Sequence, residues 1–357
     1  ISASSLLINA YLSRLADPGT GPGAPRAGWD FIDESPAVDL RGFTPYDAMA
    51  PDIETHLVNA VLTNGAQDMA SFGGRRGSTG PLLKPAPSME IGYGRLNLAK
   101  SLRIPASVAV SPSLIVLDGF AQSAETTTQR AVVGHGAVHR HCFRVAADTS
   151  GVAMPLKVTL AWTDPAAEPN SAVALVHNLD LAVYHDGTGK VEYGNHRLRA
   201  ARLRSRDAGV EEEQELTDAV NPTEQVVIPA ADVTAGSVYV VYVMGTKVVT
   251  SRHGAGAGDG HAAGRSAEEE ATQEYALAIT GKNLVALDHQ ASECLAIACP
   301  KDCSGRGQCV QGQCVCEGIF WGVDCAMQKS CPKGPGGQTC SGHGVCDVQL
   351  AACECEK

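Results

Sequence analysis

A chain of 357 residues is long enough for two or three domains, and 44% hydrophobic with 19% charged residues is the composition of ordinary packed material. A net charge of −11 argues against a nucleic-acid partner, because neutralising phosphates needs a basic face. The longest apolar runs, such as Val238–Met244, are strand-length and well short of the roughly 20 residues of a spanning helix, so no membrane span is read from the chain.

Residues 1–15 are helical in pattern, with Leu6, Leu7, Ile8, Ala10, Leu12 and Leu15 spread over most faces. Such a helix is buried all round and needs a covering sheet. Residues 17–50, rich in Pro, Gly and Asp, predict a loop, and residues 51–68 a second helix. A further Gly-rich loop at 73–80 leads to Ile91–Lys100, which closes the front part. With no covering parallel strands in the sequence, residues 1–100 are expected to be poorly protected, and the chain from about residue 105 to fold alone.

From about Pro105 the pattern turns to short β-branched runs separated by Gly, Pro, Asn and Asp, the signature of an antiparallel sandwich or barrel. Strands are predicted at Ser113–Leu117, Val138–Val145, Leu156–Trp162, Leu179–Tyr184, Glu224–Ile228, Ser237–Gly245 and Glu274–Thr280. The basic stretch 197–206 is followed by the acidic run Glu211–Glu215 and reads as a charge-balanced surface loop, and residues 254–264 with Glu268–Glu270 as a flexible insertion before the last strand.

Twelve of the thirteen cysteines fall between Cys294 and Cys355, a density typical of small oxidised modules and rare in the cytosol, which places the chain outside the cell. About 30 residues cannot bury a core that folds alone, so disulfides replace it, each worth roughly 2–4 kcal/mol. Spacing alone leaves fifteen connectivities for the six cysteines from Cys299 to Cys325. Zinc is the rival reading, since C-x3-C and C-x-C thiolates suit a soft metal. Six cysteines interleaved with Ser-Gly turns serve disulfides better.

His139, His141 and Cys142 could suggest a metal site, because residues two apart on a strand share a face. Phe143 and Val145 lie on the histidines' face, so a partly buried strand is the better reading. Cys142 reads as an isolated buried thiol, with a bridge to Cys294 as the alternative. His56 and His177 could be mistaken for catalytic bases and read as structural or surface residues. Asp164 and Asp180 read as turn-capping acceptors rather than acid/base catalysts.

The front of the chain resembles the end of a subtilisin-like serine peptidase (a subtilase), carried by the Gly92-Tyr93-Gly94-Arg95-Leu96-Asn97 stretch after two helices. Lys157–Asp164, Leu175–Leu181, Val220–Ile228 and Tyr275–Gly281 resemble the jelly-roll domain that follows the catalytic unit in one branch of that family. The resemblance implies that the family's Gly-Thr-Ser-Met-Ala-x-Pro motif lies just before Ile1, with the nucleophile about five positions upstream and the Asp, His and oxyanion Asn further still. No catalytic residue is therefore assigned in this chain. The family's jelly roll often binds calcium through L-V-N-D-L-D-L, but here the stretch is Leu175-Val176-His177-Asn178-Leu179-Asp180-Leu181, so the first of two carboxylates is lost and no cofactor is assigned.

The cysteine register Cys299, Cys303, Cys309, Cys314, Cys316, Cys325 resembles the tenascin-type EGF-like module, with Gly318–Asp324 where that module places its glycines and aromatic. This implies the pairs Cys299–Cys309, Cys303–Cys314 and Cys316–Cys325. In a second copy the expected disulfide cysteines are Cys331, Cys346, Cys340 and Cys353, which leaves Cys355 without an obvious partner. Neither copy is preceded by the acidic pattern of calcium-binding versions.

The expected architecture is therefore mixed and multidomain. It runs from the remnant of an α/β subtilisin catalytic domain (1–104) to an all-β jelly-roll sandwich (105–288), a small disulfide-rich EGF-like module (294–326) and a truncated second one (331–357). The expected function is that of the C-terminal part of a secreted serine endopeptidase. Protein or peptide substrates would be met by the catalytic domain, and matrix or cell-surface proteins by the EGF-like modules. The alternative is a non-enzymatic adhesion or matrix-binding protein built from the same modules.

Overall fold

The computed structural model describes residues 55–69, 86–101 except 89, 113–117, 131–147, 153–196 except 168, 170, 172 and 173, 217–249, 271–288, 291–329, 331, 338–347 and 352–355. The helix expected at 1–15 and the loops at 17–50, 73–80, 197–206 and 254–264 lie outside them. The second predicted helix is α1 (Thr55–Gly65). Of the closing segment only α2 (Leu98–Ser101) is helical, because Asn97 caps it through its side chain on the Lys100 N–H while the preceding residues bridge backwards, Gln67 to Arg95 and Ser88 to Gly92. Gly94 makes that bridge possible. Its φ is +111°, and a Cβ there would stand 2.3 Å from the Gln67 carbonyl oxygen.

Ten strands follow: β1 (Ser113–Leu117), β2 (Val132–Gly134), β3 (Val138–Val145), β4 (Leu156–Trp162), β5 (Asn178–His185), β6 (Lys190–Tyr193), β7 (Thr223–Ile228), β8 (Val238–Lys247), β9 (Thr272–Gly281) and β10 (Leu284–Leu287). They form two five-stranded antiparallel sheets. One runs β1-β9-β4-β7, with β2 also on β9, and the other runs β10-β3-β8-β5-β6. The three strands not predicted, β2, β6 and β10, are three or four residues long, too short for alternation to register.

The alternation along each strand explains both faces of each sheet. Leu156, Val158, Leu160 and Trp162 of β4 point inward against Leu179, Leu181 and Val183 of β5 and Tyr239, Val241 and Val243 of β8. The outward residues are buried too. On the first sheet they are small, Ala161, Ala276 and Ala278, and this shallow surface receives Leu57, Ala60 and Val61 of α1. The expectation that this front part lacks a cover is therefore not met for α1, whose cover is the sandwich itself.

On the second sheet the outward residues Ala182, Tyr184, Val240, Tyr242 and Met244 pack against Cys294, Ile297, Val323 and Met327 of the cysteine-rich region. That explains why all eight residues of β5 are buried. Its hairpins, β11 (Gly307–Val310) with β12 (Gln313–Cys316) and β13 (Phe320–Trp321) with β14 (Met327–Gln328), form a third layer, and β15 (Gly344–Asp347) pairs with β16 (Ala352–Cys355) beyond it. Among the described residues no helix is long and apolar enough to cross a membrane.

Candidate functional site

The densest polar chemistry lies where α1, the Gly92–Asn97 stretch and the sandwich meet. Asn64, in the last turn of α1, is fully buried. Its amide Nδ2 donates to the Ala278 carbonyl (2.7 Å), with the Lys157 carbonyl and Thr159 hydroxyl at 3.1 Å, and its Oδ1 accepts from Thr280 Oγ1 at 2.5 Å. One turn earlier Asn59 donates to Thr223 Oγ1 (3.0 Å), and Gln225 of β7 donates back to the Thr63 carbonyl (3.2 Å). Lys157 Nζ donates to the Ala66 carbonyl (2.6 Å) and so caps the end of α1. Burial, with Lys100 nearby, pushes the Lys157 ammonium down to about 8.

Asn195 closes the free edge of β7. With φ at +53°, it donates its backbone N–H to the Gln225 carbonyl (3.0 Å), accepts the Gln225 N–H on Oδ1 (3.1 Å) and donates Nδ2 to the Thr223 carbonyl (2.8 Å). One residue thus imitates the next strand and blocks edge pairing. Asp218 accepts from the same Nδ2 (2.8 Å), and the Tyr93 hydroxyl donates to the Thr223 carbonyl (2.5 Å), tying the Gly92–Asn97 stretch to the sandwich. Burial raises the Tyr93 phenol well above its ordinary value.

Glu224, fully buried, reaches from β7 to the other sheet, where its Oε2 accepts the Leu181 N–H at 2.7 Å. Gly194 makes room, since a Cβ there would stand 2.3 Å from that oxygen. Burial first, then the charge of Asp180, raises the Glu224 carboxyl well above the usual carboxylate range, so it favours its protonated form. Asp180 accepts from Asn178 Nδ2 (3.3 Å) and from the Thr246 hydroxyl. It is a strand residue held within the sandwich rather than a turn cap. Asp164 accepts the Val176 and His177 N–H groups, twelve and thirteen residues on, at 2.8 and 2.7 Å, so it ties two segments together rather than capping a turn.

Asp180 and Glu224 are engaged with Thr246, Asn178 and the Leu181 N–H. Among the described residues, the groups of three His, Cys, Asp or Glu ligand atoms within 4.8 Å of one another are Cys299, Cys303, Cys314 and Cys331, Cys340, Cys353. Those six sulfurs are in disulfides and so are not thiolates.

Among the described residues six disulfides are present. Within the first module Cys299 bonds Cys309, Cys303 bonds Cys314 and Cys316 bonds Cys325, and in the second Cys331 bonds Cys346 and Cys340 bonds Cys353. The sixth, Cys142–Cys294, joins β3 to the third layer, so Cys142 is not an isolated thiol. Around it Arg140 donates Nη2 to the Cys294 carbonyl (2.6 Å) and Nη1 to the Gln311 carbonyl (3.3 Å), while the Tyr242 hydroxyl donates to the Gly312 carbonyl (3.1 Å). Gly312 sits at φ +75°, and a Cβ there would stand 2.6 Å from the Arg140 guanidinium. Asp324, buried, pairs with Lys301 at 2.8 Å and accepts from the Tyr193 hydroxyl at 3.3 Å.

Of the candidate histidines, His139 and His141 share a partner. His56 is buried on α1. His177 places Nδ1 2.7 Å from Gln273 Oε1 and Nε2 2.9 Å from the Val249 carbonyl. His139 and His141 both contact the Tyr275 hydroxyl, a partner that strand pattern alone does not suggest. Arg140 and Asn195 were likewise invisible to sequence reasoning. Nothing in the pattern of β3 marks Arg140 as reaching the third layer, and Asn195 follows a run with no motif. The chain matches no protein-family model and no curated protein.

Proposed function

We propose that this chain is the C-terminal part of an extracellular subtilisin-like serine endopeptidase, with the described portion acting as a non-catalytic platform for the catalytic domain. The observation that carries the reading is a convergence. The stretches that bear the resemblance lie far apart in sequence yet hold one another, Tyr93 on Thr223, Glu224 on Leu181, and Asp164 on Val176 and His177. Peptide-bond cleavage in the parent would proceed through an acyl-enzyme on a Ser/His/Asp triad outside this sequence. Six disulfides suit an oxidising, extracellular setting.

The test is chemical. The chain as given should neither label with a fluorophosphonate probe nor cleave casein, whereas a protein extended upstream through the Gly-Thr-Ser-Met-Ala segment should do both. Stoichiometric labelling of a serine within these 357 residues would overturn the reading. A second reading, adhesion without catalysis, is favoured by Val310, Val315 and Val345, which stand 50%, 56% and 67% exposed on the module hairpins. An extended protein that stays unreactive would decide for it.

A further inference from the structure

His139 and His141 share the inner face of β3, and Tyr275 of β9 meets them from the opposite sheet. His139 Nδ1 lies 2.8 Å, and His141 Nε2 2.9 Å, from the same Tyr275 hydroxyl oxygen. The two imidazole rings stand edge to face, their centroids 6.4 Å apart. A phenol has one proton to give, so it donates to one imidazole and the other must present its N–H to the same oxygen. Three ligand-type atoms from two sheets therefore converge on one small volume. Tyr275 is fully buried while both histidines are partly exposed, so the volume is approached from the histidine side. Burial also holds the His139 ring towards its neutral form, the form that ligates metals.

We propose that His139, His141 and Tyr275 bind one divalent transition-metal ion, zinc or copper. Two imidazole nitrogens and a phenolate oxygen, with water in a fourth position, make an N2O set of the kind both ions accept. Ligands about 2.0–2.1 Å from a tetrahedral ion lie roughly 3.3 Å from one another. The observed 2.8 and 2.9 Å separations need open by only a few tenths of an ångström. On binding, the O–H bond of Tyr275 breaks and its proton leaves to solvent. The imidazole that had presented its N–H sheds that proton and takes one from solvent on its other ring nitrogen, so the oxygen's freed electron pair and one lone pair from each imidazole go to the ion, and nothing is oxidised or reduced. Burial pushes the Tyr275 phenol far above its ordinary value, and the cation's charge is what offsets that. The two clusters of cysteine sulfurs in the cysteine-rich region are held in disulfides and do not compete.

The test uses the full oxidised chain titrated with Cu2+, and with Zn2+ as competitor. The expected result is one tightly held ion per chain with a copper–phenolate charge-transfer absorption that zinc displaces. Paired His139→Asn and His141→Asn substitutions should abolish that first equivalent. Tyr275→Phe, which removes only a hydroxyl, should abolish the absorption and weaken binding at least about tenfold. Circular dichroism checks that each variant folds, and Tyr275→Phe decides alone should the histidine variant not fold. The proposal is overturned if the chain binds no ion tightly, if the first equivalent survives loss of both histidines, or if Tyr275→Phe leaves affinity and spectrum unchanged.

Discussion

Glu224 spans the two sheets, and its protonation decides whether the span stabilises the sandwich. Its folded-state pKa is raised, so protonated Glu224 contributes stability that is fully present below the unfolded carboxylate value and lost as pH rises through the folded one. Glu224→Gln keeps an oxygen for the Leu181 N–H and removes the ionisation. The variant should therefore match the parent at pH below the ordinary carboxylate range and unfold at higher denaturant concentration than the parent as pH rises above that range. Parallel pH profiles for the two proteins would show that Glu224 is ionised in the fold without cost.

At the scale of elements, the strands were legible because β-branched runs bounded by Gly, Pro and Asn specify a half-buried extended chain wherever the sheet lies. β3 and β4 coincide with the predicted Val138–Val145 and Leu156–Trp162. The docking of α1 was not legible. The sequence shows a second helix at residues 51–68, but the Ala161, Ala276 and Ala278 surface that covers it is assembled from strands β4 and β9, more than 90 residues further along. The polar contacts follow the same rule, since Asn64 finds the Ala278 carbonyl across 214 residues. Asn64→Ala should therefore be costly, leaving buried acceptors on β4 and β9 unpaired at about 1–3 kcal/mol. Chemical denaturation should show this loss, and a variant as stable as the parent would mean that water replaces the amide there.

At the scale of the molecule, both outer faces of the sandwich are occupied, by α1 on one side and by the first six-cysteine module on the other. The module's disulfide pairing was legible only through the resemblance its cysteine register carries, since spacing alone leaves fifteen connectivities. The module's mounting was not legible, because the Arg140, Tyr242 and Gly312 contacts depend on which face β3 and β8 turn outward. A platform for a catalytic domain requires these layers to be one cooperative body, with packing and a buried disulfide holding them rather than the chain alone. Hydrogen–deuterium exchange of the intact oxidised chain tests this most directly. Amides of Leu57–Val61 in α1 and of Cys314–Val315 in β12 should exchange as slowly as those of Leu160 and Leu277 in the sandwich core. Fast exchange in α1 or in the module, with the sandwich still protected, would contradict it.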